Sequence, residues 1–320
     1  MSTDLAERIL GGDVRAASRL MRNLEDDRPG ARGQLEALFE HTGDAQIVGF
    51  TGHPGSGKST LVNAFIELCR SRDLTVGCIA VDPTSPFSGG AILGDRVRMK
   101  EHALDEGVFI RSVATRGNLG GISRATPALV MVMDAMGFDI VIIETVGVGQ
   151  DEIDIVRLAD TNVVVMVPGL GDDIQATKAG LLEIADVFAV NKSDLDGARR
   201  VKQELRTMLR LGQDTRSDAE AAWIPPIVPT IATQRSGIDE LMEAIDQHRD
   251  WRADHETEDQ RERRRLEQLA RLVLAGEFDT RLNQIFRGDF WNEHLQEMLD
   301  RRESPYAAAD ALLEKMFGAS

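Results

Sequence analysis

The sequence has only two cysteines and no long apolar run, and both shortages exclude classes of protein. Cys69 and Cys78 each fall among apolar residues, which favours core thiols over a disulfide or a metal-binding pair. No apolar run approaches the roughly 18 residues of a membrane span, and the first residues mix acids and bases without the apolar segment of an export signal. We therefore expect a cytoplasmic protein in a reducing compartment, with no membrane partner.

Positive charge is scarce relative to negative charge. The 320 residues include 53 Asp and Glu against 37 Lys and Arg, which gives a formal net charge of −16. Nucleic-acid binding depends on Lys and Arg side chains that neutralise backbone phosphates, so we expect no nucleic-acid partner. An anionic ligand would have to meet a local positive site.

Three regions follow from the spacing of apolar residues. Residues 1–42 predict a helical extension, broken at Gly11 and Pro29, that is a lid or a support and not a catalytic unit. Residues 251–320 predict further helices, in which acids interleave with a basic run; this composition favours a solvated helix face over a phosphate-binding patch.

The central region, residues 43–250, alternates short β-branched stretches with helical ones. This alternation predicts an α/β fold with a mostly parallel sheet flanked by helices, whose ligands bind at the carboxyl ends of the strands. The predicted strands are Ile47–Thr51, Thr75–Val81, Phe109–Ser112, Ile140–Thr145, Asn162–Val167, Val187–Val190 and Ile227–Thr230.

The pattern GxxxxGK[ST] follows the first predicted strand. In such a loop, glycines let backbone N–H groups close around phosphates, Lys58 neutralises their charge, and the Ser59 hydroxyl suits Mg²⁺ at a helix N-terminus. An ordinary glycine-rich turn is the alternative, but the strand–loop–helix context favours a nucleoside triphosphate site. The predicted binding residues here are Gly52, His53, Pro54, Gly55, Ser56, Gly57, Lys58, Ser59 and Thr60.

A second pattern, NKxD, follows the sixth predicted strand and points to guanine. The carboxylate of Asp194 can accept from two guanine donors that adenine lacks, while Asn191 and Lys192 complete the pattern. A polar turn is the alternative for the tetrapeptide by itself. Residues 230–234, after the seventh strand, lack the Ser-Ala pair common in GTPases, so their contacts with the base stay open.

Acidic residues end two of the predicted strands. Glu144 stands where most GTPases carry Asp, and it is suited to a Mg²⁺ contact, with Gly147 placed to offer its N–H to a γ-phosphate. Asp82 opens a loop rich in Pro, Ser and Gly that reaches Asp95, as in a nucleotide-sensing switch. A carboxylate that caps the next element and an ordinary surface loop are the respective alternatives.

These segments together resemble, in order and spacing, the MeaB/ArgK family of methylmalonyl-CoA mutase-associated P-loop GTPases. The resemblance implies a homodimer, with residues 251–320 as the dimerisation region, that binds Mg²⁺ with GTP or GDP and hydrolyses GTP to GDP and phosphate. It also implies a partner, an adenosylcobalamin-dependent acyl-CoA mutase of the methylmalonyl-CoA mutase type, whose cofactor loading the GTPase gates and which it protects or reactivates. The segments that carry the likeness are residues 52–59, 82–96, 144–150 and 191–194.

The resemblance also assigns roles to residues. It implies metal contacts from Ser59, Asp82, Asp95 and Glu144. It adds a third switch at residues 168–178, in which Asp172, Gln175 and Lys178 are the polar positions. No water-orienting residue is identified, and Gln150, Arg96 and Arg98 are candidates only. The implied catalytic residues are Lys58, Glu144, Asp95, Lys178 and Gln175.

Three other functions compete with this interpretation. A metal-insertion GTPase for nickel or cobalt needs clustered imidazole or thiolate ligands, whereas the six histidines are scattered along the chain. A transport-system kinase would use ATP, which fits poorly with NKxD. An interaction protein with an inactive nucleotide site would not need Lys58, Ser59 and Glu144 together.

Overall fold

The computed structural model describes residues 3–82, 102, 104–114, 125–145, 158–169, 184–214 and 222–318. Two compact units divide the chain, Met1–Leu269 and Ala270–Ser320. The predicted region boundaries after residues 42 and 250 stay predictions. No helix among the described residues is both long enough and apolar enough to cross a membrane.

The first unit is built on one sheet, and the described residues contribute seven strands to it. The strands lie side by side in the order β3-β2-β4-β1-β5-β6-β7, and every neighbouring pair is parallel. The predicted parallel α/β sheet is therefore confirmed, and each predicted strand is present with ends that differ by at most two residues. The strands are β1 (Gln46–Thr51), β2 (Val76–Asp82), β3 (Val108–Ala114), β4 (Ile140–Glu144), β5 (Thr161–Met166), β6 (Val187–Val190) and β7 (Ile227–Pro229).

Helices cover the sheet and extend the chain at both ends. Short 3₁₀ turns at Phe39–His41 and Ala232–Gln234 connect some of these elements. The helices are α1 (Thr3–Leu10), α2 (Val14–Glu25), α3 (Ala31–Glu36), α4 (Lys58–Ser71), α5 (Thr126–Ala135), α6 (Ala198–Asp214), α7 (Ile238–His255), α8 (Glu258–Phe286), α9 (Asp289–Leu299) and α10 (Pro305–Phe317).

Strand β5 illustrates why strands of this sheet have mostly apolar sequences. All six of its residues are buried, and successive side chains point to opposite faces. Val163 and Val165 belong to the core cluster that includes residues of α4 and α7, whereas Val164 and Met166 pack with residues of α6. A strand covered on both faces needs apolar residues at every position.

The N-terminal helices, which the sequence predicts to be a lid or a support, pack on the sheet unit. Helix α2 packs against α5, and its Asp13 cap accepts from the N–H groups of Arg15 at 2.9 Å and Ala16 at 3.0 Å. At the other end of α2, Glu25 accepts from Arg111 of edge strand β3 at 2.7 Å, and both side chains are mostly buried. This buried ion pair joins the extension to the sheet edge.

The basic run predicted as a solvated face begins helix α8. The last residues of the first unit include Arg264, which pairs with Glu256 at 2.5 Å, and Arg265, which donates to Asp134. The Asp134 side chain is fully buried and also accepts from the N–H groups of Gly43 at 2.8 Å and Ala45 at 3.0 Å. The solvated-face prediction is therefore wrong for Arg265, which is three-quarters buried because it neutralises this carboxylate.

The second unit contains most of α8 together with α9 and α10. His294 of α9 contacts Glu303 at 2.7 Å, and the Lys315 ammonium lies 4.0 Å from the centre of the Phe290 ring. Several large apolar side chains of this unit are exposed, including Leu299 at 68% and Tyr306 at 85%.

Candidate functional site: a nucleotide cradle at the carboxyl edge of the sheet

The phosphate loop connects β1 to α4. Lys58, the first residue of α4, is only 6% exposed, and its Nζ donates to the carbonyl oxygens of Gly52 at 2.5 Å and His53 at 3.2 Å. In the described part of the chain, no side chain caps the first turn of α4. Its backbone N–H groups and helix dipole therefore combine with a buried ammonium to attract phosphates.

Two glycines of the loop cannot be replaced without strain. Gly52 has φ +139°, and a Cβ there would lie 2.3 Å from the carbonyl oxygen of Val165. Gly57 has φ +86°, and a Cβ there would lie 2.6 Å from Asn191 Nδ2. These close approaches press the loop against β5 on one side and against the NKxD segment on the other.

Glu144 lies beside the loop because β4 pairs with β1, with Glu144 in register with Phe50. The side chain is buried, and its Oε1 accepts from Ser59 Oγ at 2.6 Å. A buried carboxylate and a hydroxyl that converge at a helix N-terminus are hard oxygen ligands, and this donor set fits Mg²⁺. The contact with Ser59 also argues against a carboxylate that merely caps the next element.

Asn191 joins three segments of the site. It follows β6, and its Nδ2 donates to the carbonyl oxygen of Ser56 at 2.9 Å. Its Oδ1 accepts from the backbone N–H of Ala232 at 3.1 Å and from the Thr230 hydroxyl at 3.4 Å. One buried amide thus holds the phosphate loop, the NKxD segment and the segment after β7 in a fixed arrangement.

Lys192 and Asp194 occupy the outer side of this arrangement. Lys192 adopts a left-handed conformation with φ +54°, and its Nζ donates to the Gly55 carbonyl oxygen at 2.9 Å. The lysine stem therefore bridges from the NKxD segment to the phosphate loop, and Asp194 is exposed two residues later. This geometry leaves an acidic side chain accessible at the edge where a base would rest.

Comparisons with known proteins agree with this geometry. A family model described as "Methylmalonyl Co-A mutase-associated GTPase MeaB" matches residues 17–284. The chain belongs to this family. A putative GTPase of Pyrococcus abyssi is 46% identical over 319 residues, which cover 99% of this chain and 98% of the relative. The GTPase ArgK of Escherichia coli is 41% identical over 217 residues, which cover 66% of this chain and 63% of ArgK.

A solved structure supports the fold of this MeaB-family chain. The crystal structure described as LAO/AO transport system kinase aligns with a TM-score of 0.72 and 25% identity, and covers 98% of this chain and 97% of that one. The protein is therefore a P-loop GTPase that binds guanine nucleotide and hydrolyses GTP, which confirms the family and activity predicted from the sequence.

The sequence singles out the segment after the seventh strand, which contains Thr230 and Ala232, but leaves its contacts open. These two residues lie in the segment that lacks the Ser-Ala pair, yet both bond the side chain of Asn191. The backbone of Thr230 also extends the sheet, because its N–H donates to the Val190 carbonyl oxygen at 2.9 Å. Backbone pairing with β6 and the Asn191 side chain together hold this segment in place.

Some predicted site residues lie outside the described residues. The side chain of Asp82 is one of these, although its backbone ends β2. The others are Asp95, Arg96, Arg98, Gly147, Gln150, Asp172, Gln175 and Lys178.

The two thiols of this MeaB-family chain are free and buried, which confirms their prediction as core residues. Burial raises the pKa of Cys69 to about 12 and raises the pKa of Cys78 well above its ordinary value. Within the described ranges, no group of three or more His, Cys, Asp or Glu side chains could hold a metal ion.

Proposed function

We propose that this GTPase is a chaperone of an adenosylcobalamin-dependent acyl-CoA mutase of the methylmalonyl-CoA mutase type. It would gate loading of the cofactor and protect or reactivate the mutase. The observation that carries this proposal is the family match over residues 17–284, because the family is named for its association with methylmalonyl-CoA mutase. The switch that such a role requires is proposed from the resemblance, at residues 82–96 and 168–178.

Guanine selection would depend on Asp194. Its exposed carboxylate follows Lys192, whose stem is held across the edge of the phosphate loop. A carboxylate accepts from the N1–H and the amino group of guanine, whereas adenine would leave the charged acceptor unpaired. This argument favours a GTPase over a transport-system kinase, although the solved structure described above carries a kinase name.

Magnesium would be held first by Ser59 and Glu144, whose oxygens already converge. Asp82 and Asp95 are proposed as further contacts from the resemblance. Bound Mg²⁺ would neutralise charge on the β- and γ-phosphates. The protein itself would orient the phosphates through Lys58 and the N–H groups at the start of α4, and Gly147 would offer its N–H to the γ-phosphate.

Communication with the mutase would use the proposed switch that contains Gln175 and Lys178. This segment follows β5, and the carboxyl end of β5 is adjacent to β1 and its phosphate loop. A switch responds to GTP only if its two conformations bind the γ-phosphate with different affinity. Asp95 and Glu144 would act at the same γ-phosphate end of the nucleotide.

Homodimerisation is proposed for residues 251–320, in line with the exposed apolar side chains of the second unit, such as Leu299 and Tyr306. A cytoplasmic location and the lack of a nucleic-acid partner are likewise proposals from composition and charge.

The decisive experiment mixes the purified GTPase with purified methylmalonyl-CoA mutase and measures complex formation and GTP hydrolysis. We expect association that differs between GDP and a non-hydrolysable GTP analogue, and hydrolysis several-fold faster with the mutase. Gln175→Ala and Lys178→Ala should keep GTP affinity within a few-fold and lose most of that stimulation. Association with the mutase in neither nucleotide state would overturn the proposal.

A further inference from the structure

A pair of buried threonines joins the root of the phosphate loop to the end of β4. The Thr145 hydroxyl donates to Thr51 Oγ1 at 3.0 Å, and the exposed fractions of the two residues are 1% and 0%. Thr51 is the last residue of β1, directly before Gly52, and Thr145 directly follows Glu144. The bond therefore connects the residues adjacent to the loop glycine and to the buried carboxylate.

The backbone supports this connection. The Thr145 N–H donates to the Phe50 carbonyl oxygen at 3.1 Å, which continues the β1–β4 ladder one residue beyond the strand. The peptide between Glu144 and Thr145 is consequently held by the ladder and by the hydroxyl that follows it.

Glu144 and Thr145 point to opposite faces of the sheet because strand side chains alternate. Ile140 and Ile142 belong to the core cluster that includes α4 residues, and Glu144 shares their face because strand side chains alternate with a period of two. Its carboxylate therefore reaches Ser59 at the start of α4. Thr145 falls on the opposite face, where it meets Thr51. Glu144 therefore places the carboxylate beside Ser59, and Thr145 holds the backbone at the end of β4 through its bond to Thr51.

We infer that Thr145 and Thr51 are positioning residues for GTP hydrolysis, which hold the end of β4 so that the Glu144 carboxylate stays at the distance from Ser59 that a divalent cation requires. The inference rests on the magnesium site proposed above and on no property of the mutase. A carboxylate and a hydroxyl bind Mg²⁺ well only in near-octahedral geometry at short distances. A small displacement of β4 would therefore weaken cation binding more than nucleotide binding.

The test is Thr145→Val, which removes the hydroxyl and keeps the shape of the side chain. Binding of a fluorescent GDP analogue is titrated with Mg²⁺ and is repeated in EDTA. We expect the Mg²⁺ concentration that gives half of the change in analogue binding to rise about three- to tenfold. A change of this size corresponds to the loss of one buried hydrogen bond. Affinity for the analogue in EDTA should stay within about twofold, and Thr145→Ser should restore the Mg²⁺ response.

A matched control separates positioning from stability. Thr161 is also fully buried, and its hydroxyl contacts His248 Nδ1 at 2.9 Å at the opposite edge of the sheet. Thr161→Val should lower the melting temperature about as much as Thr145→Val but leave the Mg²⁺ titration unchanged. The double variant Thr51→Val/Thr145→Val should show no greater shift than either single variant, because both remove the same bond.

The outcomes distinguish the inference from the proposals on which it rests. A wild-type protein whose GDP binding ignores Mg²⁺ would overturn the magnesium site and this inference together. If the wild type responds to Mg²⁺ and Thr145→Val responds at the same Mg²⁺ concentration, the positioning role alone is overturned. If Thr145→Val does not fold, Thr51→Val and Thr51→Ser take its place, and an unchanged Mg²⁺ response in Thr51→Val overturns the inference equally. The mutase experiment is independent of all these results.

Discussion

The two edges of the central sheet use polar side chains in different ways. At the carboxyl edge, Lys58 and Lys192 donate to backbone carbonyl oxygens of the phosphate loop, contacts that a phosphate or a base can replace. At the amino edge, the His248 ring contacts the Thr161 hydroxyl through Nδ1 and the Asp186 carboxylate through Nε2. The comparison teaches that the two lysines of the binding edge have partners that a ligand can replace, whereas the imidazole and the carboxylate of the amino edge contact other side chains of the protein.

The amino-edge network is largely buried, although a quarter of the Asp186 side chain is exposed. His248 is 4% exposed, with Nδ1 at 2.9 Å from Thr161 Oγ1 and Nε2 at 3.3 Å from Asp186 Oδ1. Asp186 also accepts from Asn162, through its N–H at 2.8 Å and its amide at 3.1 Å. The Trp223 ring lies 5.0 Å from the His248 ring and donates its N–H to the Asp186 carbonyl oxygen at 2.8 Å.

Enclosure shifts the two titrating groups in opposite directions. Burial raises the pKa of Asp186 to about 6 and, together with the nearby Arg252 charge, lowers the pKa of His248 to about 4. Asp160 adds to the rise for Asp186, and Asn162 opposes it. At neutral pH the network therefore contains an ionised carboxylate and a neutral imidazole.

The largest effect is expected at the carboxyl edge, from Lys58→Ala. Removing the buried ammonium should weaken GTP and GDP binding about a hundredfold or more, because charge-assisted contacts to phosphate are lost. Calorimetry measures the affinity, and circular dichroism checks the fold. Lys192→Ala is the matched control, since that lysine also donates to a loop carbonyl but is exposed. An equal loss in both variants would contradict the assignment of phosphate charge to Lys58.

Asp194→Asn should give the next largest effect. The amide places a donor against the donors of guanine, so GTP and GDP affinity should fall about ten- to a hundredfold, the loss of one charged hydrogen bond. Xanthine nucleotides should bind better than to the wild type. Asp196→Asn, two residues away and also exposed, serves as control. Equal binding of ATP and GTP by the unmutated protein would refute guanine selection.

Substitutions at the amino edge should change the pH dependence of the unfolding free energy and leave nucleotide affinity unchanged. The raised pKa of Asp186 contributes stability that is present below about pH 3.8 and is lost as pH rises through about 6. The lowered pKa of His248 contributes stability that is present above pH 6.5 and is lost as pH falls through about 4. In the wild type these opposite slopes nearly cancel between those pKa values.

Replacing either His248 or Asp186 should leave the pH dependence of unfolding free energy that the other residue causes. Relative to wild type, His248→Gln should lose unfolding free energy as pH rises from 4 to 6, and Asp186→Asn should gain it, each by up to about 1 kcal/mol per pH unit. Urea unfolding at several pH values measures both slopes. Slopes of the same sign in the two variants would rule out the opposed shifts.

The smallest effect should come from an exposed ion pair. Arg72 and Asp239 approach to 2.8 Å, but their side chains are 39% and 64% exposed. Arg72→Ala should change the unfolding free energy by less than about 0.5 kcal/mol, because solvent screens exposed pairs. A loss comparable to that of the amino-edge variants would mean that burial is not what separates the two classes of contact.

The carboxyl edge could be predicted from the sequence because its residues are local. A phosphate loop, NKxD and a strand-terminal acid are each contiguous, and doubly covered strands give apolar runs that fix their own positions. The network around His248 could not be predicted, because Thr161, Asp186 and His248 belong to no contiguous pattern. The Thr51–Thr145 bond is likewise a product of strand order, which places residues 94 positions apart side by side.

The buried thiols have a consequence for measuring how the molecule opens. Cys69 ends an apolar face of α4 and Cys78 lies inside β2, so a thiol reagent can reach either sulfur only after part of the core separates. The alkylation rate of each thiol therefore measures how often its own element, α4 or β2, opens. Labelling of Cys69 and Cys78 at one common rate would mean that α4 and β2 come apart as a single cooperative unit.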